Sequence, residues 1–116
     1  MNKNLFMEYK IKSKIWIEVD DNVFLGDGRV KLLKSLNSTK SLSKSAKELG
    51  MSYRKAWNLI DSVNKNASKP MVIKSVGGAS GGGTKLTPYG IKMIAVFDTV
   101  NNNCWKYLDK QLCKLL

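Results

Sequence analysis

Hydrophobic positions within residues 41–67 repeat at helical spacing in two successive stretches. The first stretch brings to one face Leu42, Ser45, Ala46 and Leu49, and the second brings to one face Tyr53, Ala56, Trp57, Ile60 and Val63. Gly50 lies between them, and glycine ends helices because it enters left-handed backbone without a Cβ penalty. Ser41 and Ser52 are suited to capping the two helix starts. The pattern predicts two helices joined by a tight turn at residues 50–52.

The outer face of the second predicted helix is polar and mostly basic. It carries Arg54, Lys55, Asn58, Asp61, Ser62 and Lys65. A helix pair with a buried seam and a basic outer face is typical of a helix-turn-helix that presents a recognition helix. An ordinary antiparallel helix pair with a solvated face fits these residues equally well, so the flanking segments decide between the two interpretations.

Upstream of residue 20, the apolar residues alternate with polar ones instead of following helical spacing. From Tyr9 to Val19 apolar side chains alternate with polar ones, which predicts a half-buried strand over residues 8–19. The lysines on its other face are Lys10, Lys12 and Lys14. We expect them to form a solvated strand face; the alternative is that they lie near phosphates. Asp20-Asp21-Asn22 is expected to end the strand. A support helix is predicted over residues 27–37 from the stripe Val30, Leu33 and Leu36, with Leu32 adjacent.

Downstream, Pro70 stops the helical pattern. A short apolar run, seven residues rich in glycine (77–83) and a returning run ending at Leu86 predict a β-hairpin over residues 71–86. Directly after a recognition helix, such a hairpin is a wing. A phosphate-binding loop is the rival interpretation, but it needs Gly-Lys-Ser/Thr opening a helix, and here the order is Gly83-Thr84-Lys85.

The last segment predicts a long helix over residues 87–115. Thr87 can cap it and Pro88 suits its first position. Its apolar stripe consists of Ile94, Phe97, Val100, Cys104, Leu108, Leu112 and Leu115. At 1.5 Å per residue such a helix is roughly 42 Å long, more than a small domain covers. We expect the stripe to form a dimer interface; the alternative is that the helix breaks at Asn101–Asn103 and folds back.

The composition indicates one basic globular domain spanning residues 1–116. The net charge is +11, and residues 30–85 carry ten Lys and one Arg against Glu48 and Asp61. A basic centre around a helix-turn-helix favours nucleic acid as partner. No segment is apolar and long enough to span a membrane, and the N-terminus lacks a signal-peptide pattern, so a cytoplasmic location is expected.

Catalytic chemistry is not expected. The chain has no histidine, and Cys104 and Cys113 lack zinc-like spacing. Without an activated nucleophile or paired carboxylates, we predict no enzyme activity, no metal and no cofactor.

Three motifs together carry a specific resemblance: Gly50–Trp57 (GMSYRKAW), Gly77–Gly83 (GGASGGG) and Leu86–Gly90 (LTPYG). They resemble the N-terminal DNA-binding domain of ModE-type molybdate-responsive regulators, which are winged helix-turn-helix proteins related to the LysR type. The resemblance covers about residues 27–100. It implies an α+β fold: a winged helix-turn-helix with an N-terminal β-strand, a Gly-rich β-hairpin wing and a long C-terminal dimerisation helix. Full-length members carry molybdate-binding domains after that helix, whereas this sequence ends at Leu116, so an effector ligand is not expected within it.

The expected function is that of a sequence-specific, homodimeric transcriptional regulator binding double-stranded DNA. Arg54, Lys55 and Asn58 are expected to reach base edges, and Tyr53 and Trp57 to pack inward, with the Tyr53 hydroxyl near a phosphate. The DNA-binding set comprises Ser43, Lys44, Lys47, Ser52, Tyr53, Arg54, Lys55, Asn58, Ser62, Lys65, Lys74, Gly81, Gly82, Thr84 and Lys85. The alternative is a protein-interaction module on the same scaffold that does not read DNA sequence.

Overall fold

The chain alternates small hairpins with helices in the residues that its computed structural model describes, 8–74 and 83–116. In these residues the elements are β1 (Trp16–Val19), β2 (Asn22–Gly26), α1 (Asp27–Thr39), α2 (Leu42–Glu48), α3 (Tyr53–Lys65), β3 (Val72–Lys74), β4 (Thr84–Leu86) and α4 (Pro88–Leu115). Each strand pair, β1 with β2 and β3 with β4, is antiparallel. The predicted α+β winged-helix class is confirmed. No helix in the described residues is long and apolar enough to cross a membrane.

The core lies between α1 and the helix-turn-helix. The predicted stripe of α1 is fully buried, with Leu32, Leu33 and Leu36 at 0% exposure. The predicted seam of α2 is buried as well, at Leu42 and Ala46. Ser45 joins this seam without an unpaired hydroxyl, because its Oγ is within hydrogen-bonding distance of Ser35 Oγ, at 2.8 Å, and of Thr39 Oγ1, at 2.7 Å. Buried polar groups of this kind are tolerated only when they are hydrogen-bonded.

Local chain signals form the turn of the helix-turn-helix. Gly50 has a φ of +68°, its N–H donates to the carbonyl of Lys47, and the N–H of Met51 donates to the carbonyl of Ala46. This pair of bonds is a Schellman motif, which satisfies the last carbonyls of α2. The Oγ of Ser52 then accepts from the N–H of Lys55 at 3.0 Å and caps α3. The relative direction of the two helices is therefore fixed by the turn itself.

The N-terminal strand is shorter than the predicted strand over residues 8–19. Burial alternates along residues 13–19 as predicted, but strand pairing begins only at Trp16, and Tyr9 and Ile11 are 47% and 38% exposed. The segment Asp20–Asn22 does not simply end the strand. Asp20 and Asp21 have φ of 50° and 65° and form a two-residue turn into β2, which the sequence reasoning missed.

The base of the wing is attached to the end of α1 by a main-chain hydrogen bond. β3 and β4 pair from Val72↔Leu86 to Lys74↔Thr84. The N–H of Thr84 donates to the carbonyl of Lys40, the C-cap residue of α1, at 3.2 Å. Of the predicted glycine-rich segment 77–83, residues 77–82, which include Gly81 and Gly82, lie outside the described residues. The wing base therefore has a defined position against the helix-turn-helix.

α4 is one continuous helix of 28 residues, without a break at Asn101–Asn103. Its N-terminal half packs on the core, and Ile94 and Phe97 are only 8% and 2% exposed. These two residues were predicted to lie in a dimer interface, and that assignment is wrong because their side chains are already buried within the chain. Farther along the stripe, Val100 is 50% and Leu115 is 78% exposed, while half-buried positions are Cys104, Leu108 and Leu112.

Candidate nucleic-acid interface

The first two turns of α3 present the candidate base-reading side chains to solvent. Arg54, Lys55 and Asn58 are all exposed, and the acidic residue that α3 contains, Asp61, comes only after them. The side chains nearest the start of a recognition helix are the ones that reach base edges in a helix-turn-helix. All three predicted base-reading side chains are therefore accessible; Arg54 and Asn58 line one recess, and Lys55 lines another beside Lys14 and Arg29.

The two aromatic side chains of α3 do not pack inward as predicted. Tyr53 is 56% exposed and Trp57 is 40% exposed. The buried stripe instead consists of Ala56, Ile60 and Val63, with Leu59 packed against the same core. At 3.6 residues per turn, including Leu59 shifts the centre of the stripe away from Trp57. Both rings consequently join the solvent-facing surface beside Arg54.

Lys74, the last residue of β3, connects the wing base to this surface. Its Nζ lies 4.4 Å from the centroid of the Trp57 ring. An ammonium over an indole face is a favourable cation–π arrangement, worth about 0.5–1 kcal/mol at an exposed site. Trp57 was not among the predicted interface residues, although placing Leu59 in the buried stripe would have identified it.

The amide of Asn64 fixes the wing base against the end of α3. Its Oδ1 accepts from the N–H of Met71 at 2.8 Å and from that of Val72 at 3.1 Å. Its Nδ2 donates to the carbonyl of Val72 at 2.9 Å. Sequence reasoning missed this residue, since its partners lie in another element.

Around this centre, most of the predicted phosphate-binding side chains are accessible. Exposed positions are Ser43, Lys44, Lys47, Ser52 and Lys85. The one acidic residue of α2, Glu48, accepts a hydrogen bond from Ser35 Oγ at 3.0 Å. Lys44 and Lys47 thus have no carboxylate partner among the ion pairs of the described residues.

Three of the predicted contacts are poorly placed. Thr84 is only 9% exposed, so its side chain is withdrawn from any phosphate. Ser62 is half-buried and accepts from Arg29 Nη2 at 3.4 Å. Lys65 pairs with Asp61 at 3.9 Å, which offsets its charge at the far end of α3. The cationic surface is therefore concentrated at the start of the helix.

Comparison with known proteins adds an independent observation. No family model matches the chain. It is 33% identical over 98 residues to the molybdenum transport protein ModE of Azotobacter vinelandii, covering 84% of this chain and 36% of that protein. Over the matched residues, the chain is a homologue of the ModE-type regulators. It is also 38% identical over 85 residues to the molybdenum-pterin-binding protein MopB of Rhodobacter capsulatus, covering 73% of the chain and 32% of that protein.

A third relative is named as a DNA-binding regulator. The DNA-binding transcriptional dual regulator ModE of Escherichia coli K12 is 34% identical over 82 residues, covering 71% of this chain and 31% of that protein. The chain thus spans about one third of the length of the curated relatives it matches. The ModE resemblance seen in the sequence motifs is confirmed by these alignments.

Proposed function

We propose that this chain is a sequence-specific DNA-binding module of a transcriptional regulator. The observation that carries the proposal is the contact between Lys74 and Trp57, because it joins the wing base to the exposed start of α3 in one cationic surface. The similarity to a relative named as a DNA-binding regulator supports the same conclusion. In this proposal α3 enters the major groove and the wing lies on the flanking backbone.

The exposed side chains divide into two roles. Arg54 suits guanine and Asn58 suits adenine, since each can bind a base edge with two hydrogen bonds, and Lys55 can reach guanine. Lys44, Lys47, Lys74 and Lys85 contact phosphates, which set the register of the protein but carry no sequence information. The lysine-rich composition is consistent with this division, because an ammonium binds phosphate as a point charge.

We further propose that the module acts as a homodimer through the distal half of α4. Beyond Phe97 the stripe consists of Val100, Cys104, Leu108, Leu112 and Leu115, flanked by the exposed rings of Trp105 and Tyr107. Cys104 also contacts its own chain, since its Sγ lies 3.8 Å from Ser13 Oγ. In this proposal a second copy covers that apolar surface. Two-fold symmetry would then place two half-sites one helical turn, or a multiple of it, apart.

Binding measured as a function of salt tests the DNA-binding proposal. If each protomer neutralises phosphates with its four lysines, a dimer binds about eight, and the logarithm of the association constant falls with log salt at a slope of about −7. The affinity should drop about 10⁴-fold between 50 and 200 mM salt. No gel shift on genomic fragments at low salt would refute the proposal.

Arg54→Ala separates base reading from phosphate binding. On a selected cognate duplex the variant should lose about 1–3 kcal/mol, with relaxed specificity at one position. The loss on random duplex should be small, and an equal loss on both duplexes would reassign Arg54 to a phosphate. Lys106→Ala, at an exposed lysine of α4 outside the proposed DNA-binding surface, is the control and should change neither affinity.

A protein-interaction module is the second candidate, favoured by the exposure of Tyr53 and Trp57. Aromatic side chains of this kind are enriched at protein interfaces. In that case the chain would show no salt-dependent DNA binding, and Trp57→Ala would abolish association with a protein partner. The salt titration therefore discriminates between the two candidates.

A further inference from the structure

Four neighbouring side chains at the start of α3 line a surface recess. Tyr53, Arg54, Trp57 and Asn58 are the lining residues, and the recess has a volume of about 390 Å³. They occupy the first, second, fifth and sixth positions of the helix. Side chains four residues apart are neighbours on a helix surface, so the two rings lie one turn apart, as do the two polar side chains.

The recess has both an apolar part and a polar part. The rings of Tyr53 and Trp57 supply apolar surface, and both are substantially exposed. The guanidinium of Arg54 and the amide of Asn58 supply hydrogen-bonding groups beside them. Lys74 is not a lining residue, so its ammonium contacts the Trp57 ring without belonging to the recess.

In the major groove, the apolar group that a base edge presents is the 5-methyl group of thymine. Cytosine, adenine and guanine have no methyl group there. A recess with an aromatic part beside Arg and Asn therefore matches a thymine methyl group next to a purine edge. It matches less well two adjacent base pairs that present only polar groups.

We infer that the recess formed by Tyr53 and Trp57 binds the 5-methyl group of a thymine and makes these two residues determinants of the operator sequence. This inference rests on the proposed DNA-binding function and deepens it. The ammonium of Lys74 lies over the indole face and favours this orientation of the ring. The required half-site contains a thymine adjacent to the base pair read by Arg54 or Asn58.

Single thymine-to-uracil replacements in a selected duplex test the inference, because uracil lacks only the methyl group. Dissociation constants are measured by fluorescence anisotropy for the full chain. At one or two positions of each half-site, the replacement should weaken binding about threefold to fivefold, as expected for one buried methyl group. With Trp57→Ala, the thymine and uracil duplexes should bind equally at that position.

Two control variants make the result specific. Tyr53→Phe keeps the ring and should retain the sensitivity to uracil, and Lys65→Ala, at the far end of α3, should also retain it. Circular dichroism checks that Trp57→Ala remains folded. Cross-linking of the unaltered protein to duplex carrying 5-iodouracil at the sensitive position gives a second measurement, and the adduct should map to Tyr53 or Trp57.

The outcomes separate this inference from the broader proposal. If the unaltered protein binds the duplex but tolerates uracil at every thymine, the methyl recess is refuted and the DNA-binding function stands. Cross-links that map only outside residues 53–58 would likewise refute the methyl recess and leave the DNA-binding function intact. If no duplex is bound at all, both proposals fail.

Discussion

The side-chain amide of Asn64 binds the main chain of Val72 through both of its polar atoms. Nδ2 donates to the Val72 carbonyl at 2.9 Å, and Oδ1 accepts from the Val72 N–H at 3.1 Å. The amide thereby bonds the main chain of Val72 as a neighbouring strand would, on the edge of β3 that does not face β4. Because Asn64 lies in the last turn of α3, this pairing sets the distance between the recognition helix and the wing base.

We predict that Asn64→Ala lowers the free energy of unfolding by about 1–3 kcal/mol, because main-chain groups next to buried side chains lose their partners. Urea denaturation followed by circular dichroism measures the change. Asn58→Ala is the matched control, since it alters the same residue type on the exposed face of the same helix and should stay within about 0.5 kcal/mol. Equal losses in the two variants would contradict this role for Asn64.

Lys74→Ala should weaken binding to cognate and random duplexes alike. One phosphate contact is lost per protomer, so the slope of log affinity against log salt should decrease in magnitude by about 1 for each bound protomer. The variant also removes the cation over Trp57. Lys106→Ala, which changes an exposed lysine of α4, should leave the slope unchanged. An unchanged slope for Lys74→Ala would remove this lysine from the interface.

Gly90 allows the first turn of α4 to lie directly against the main chain of Met71, the residue before β3. A Cβ at this position would overlap the main-chain carbonyl oxygen of Met71, which also accepts from the N–H of Thr87 at 3.0 Å. Gly90→Ala should therefore destabilise the protein by about 1–3 kcal/mol. Thermal unfolding measures the effect, and a midpoint equal to that of the unaltered protein would disprove the close approach.

Gly28→Ala is the control for that experiment. Gly28 lies in α1, and a Cβ there would meet nothing within 4 Å. Alanine restricts the unfolded chain and favours the helix, so this variant should be more stable by about 0.5–1 kcal/mol. Because the two substitutions should change the stability in opposite directions, the comparison tests the packing of α4 and not a general effect of replacing glycine.

Leu112→Asp should convert the proposed dimer into a monomer, because a carboxylate placed within the apolar stripe loses its hydration in the interface. Sedimentation at micromolar concentrations measures the mass. Lys106→Asp introduces the same side chain on the opposite face of α4 and should leave the dimer intact. A monomeric unaltered protein at these concentrations would refute association through α4.

The sequence by itself determined the helices of this protein, because their signals are local. Ser52, Gly50 and Pro88 act within a few residues of their own positions, and in the structure they form a cap, a left-handed turn and a first helical position. The buried stripe of α1 followed from spacing alone. The glycine-rich hairpin and the ModE motifs then indicated the family resemblance.

Only the tertiary structure decided which apolar side chains are buried and which face solvent. Trp57 and Tyr53 lie at the edge of the α3 stripe, so their exposure depends on which flank the core covers. Ile94 and Phe97 continue the same stripe as Leu112, but the core covers only the first half of α4. Asn64 and Lys74 acquire their partners from segments brought together by folding. Helical periodicity defines a face, whereas burial depends on the neighbours that pack against it.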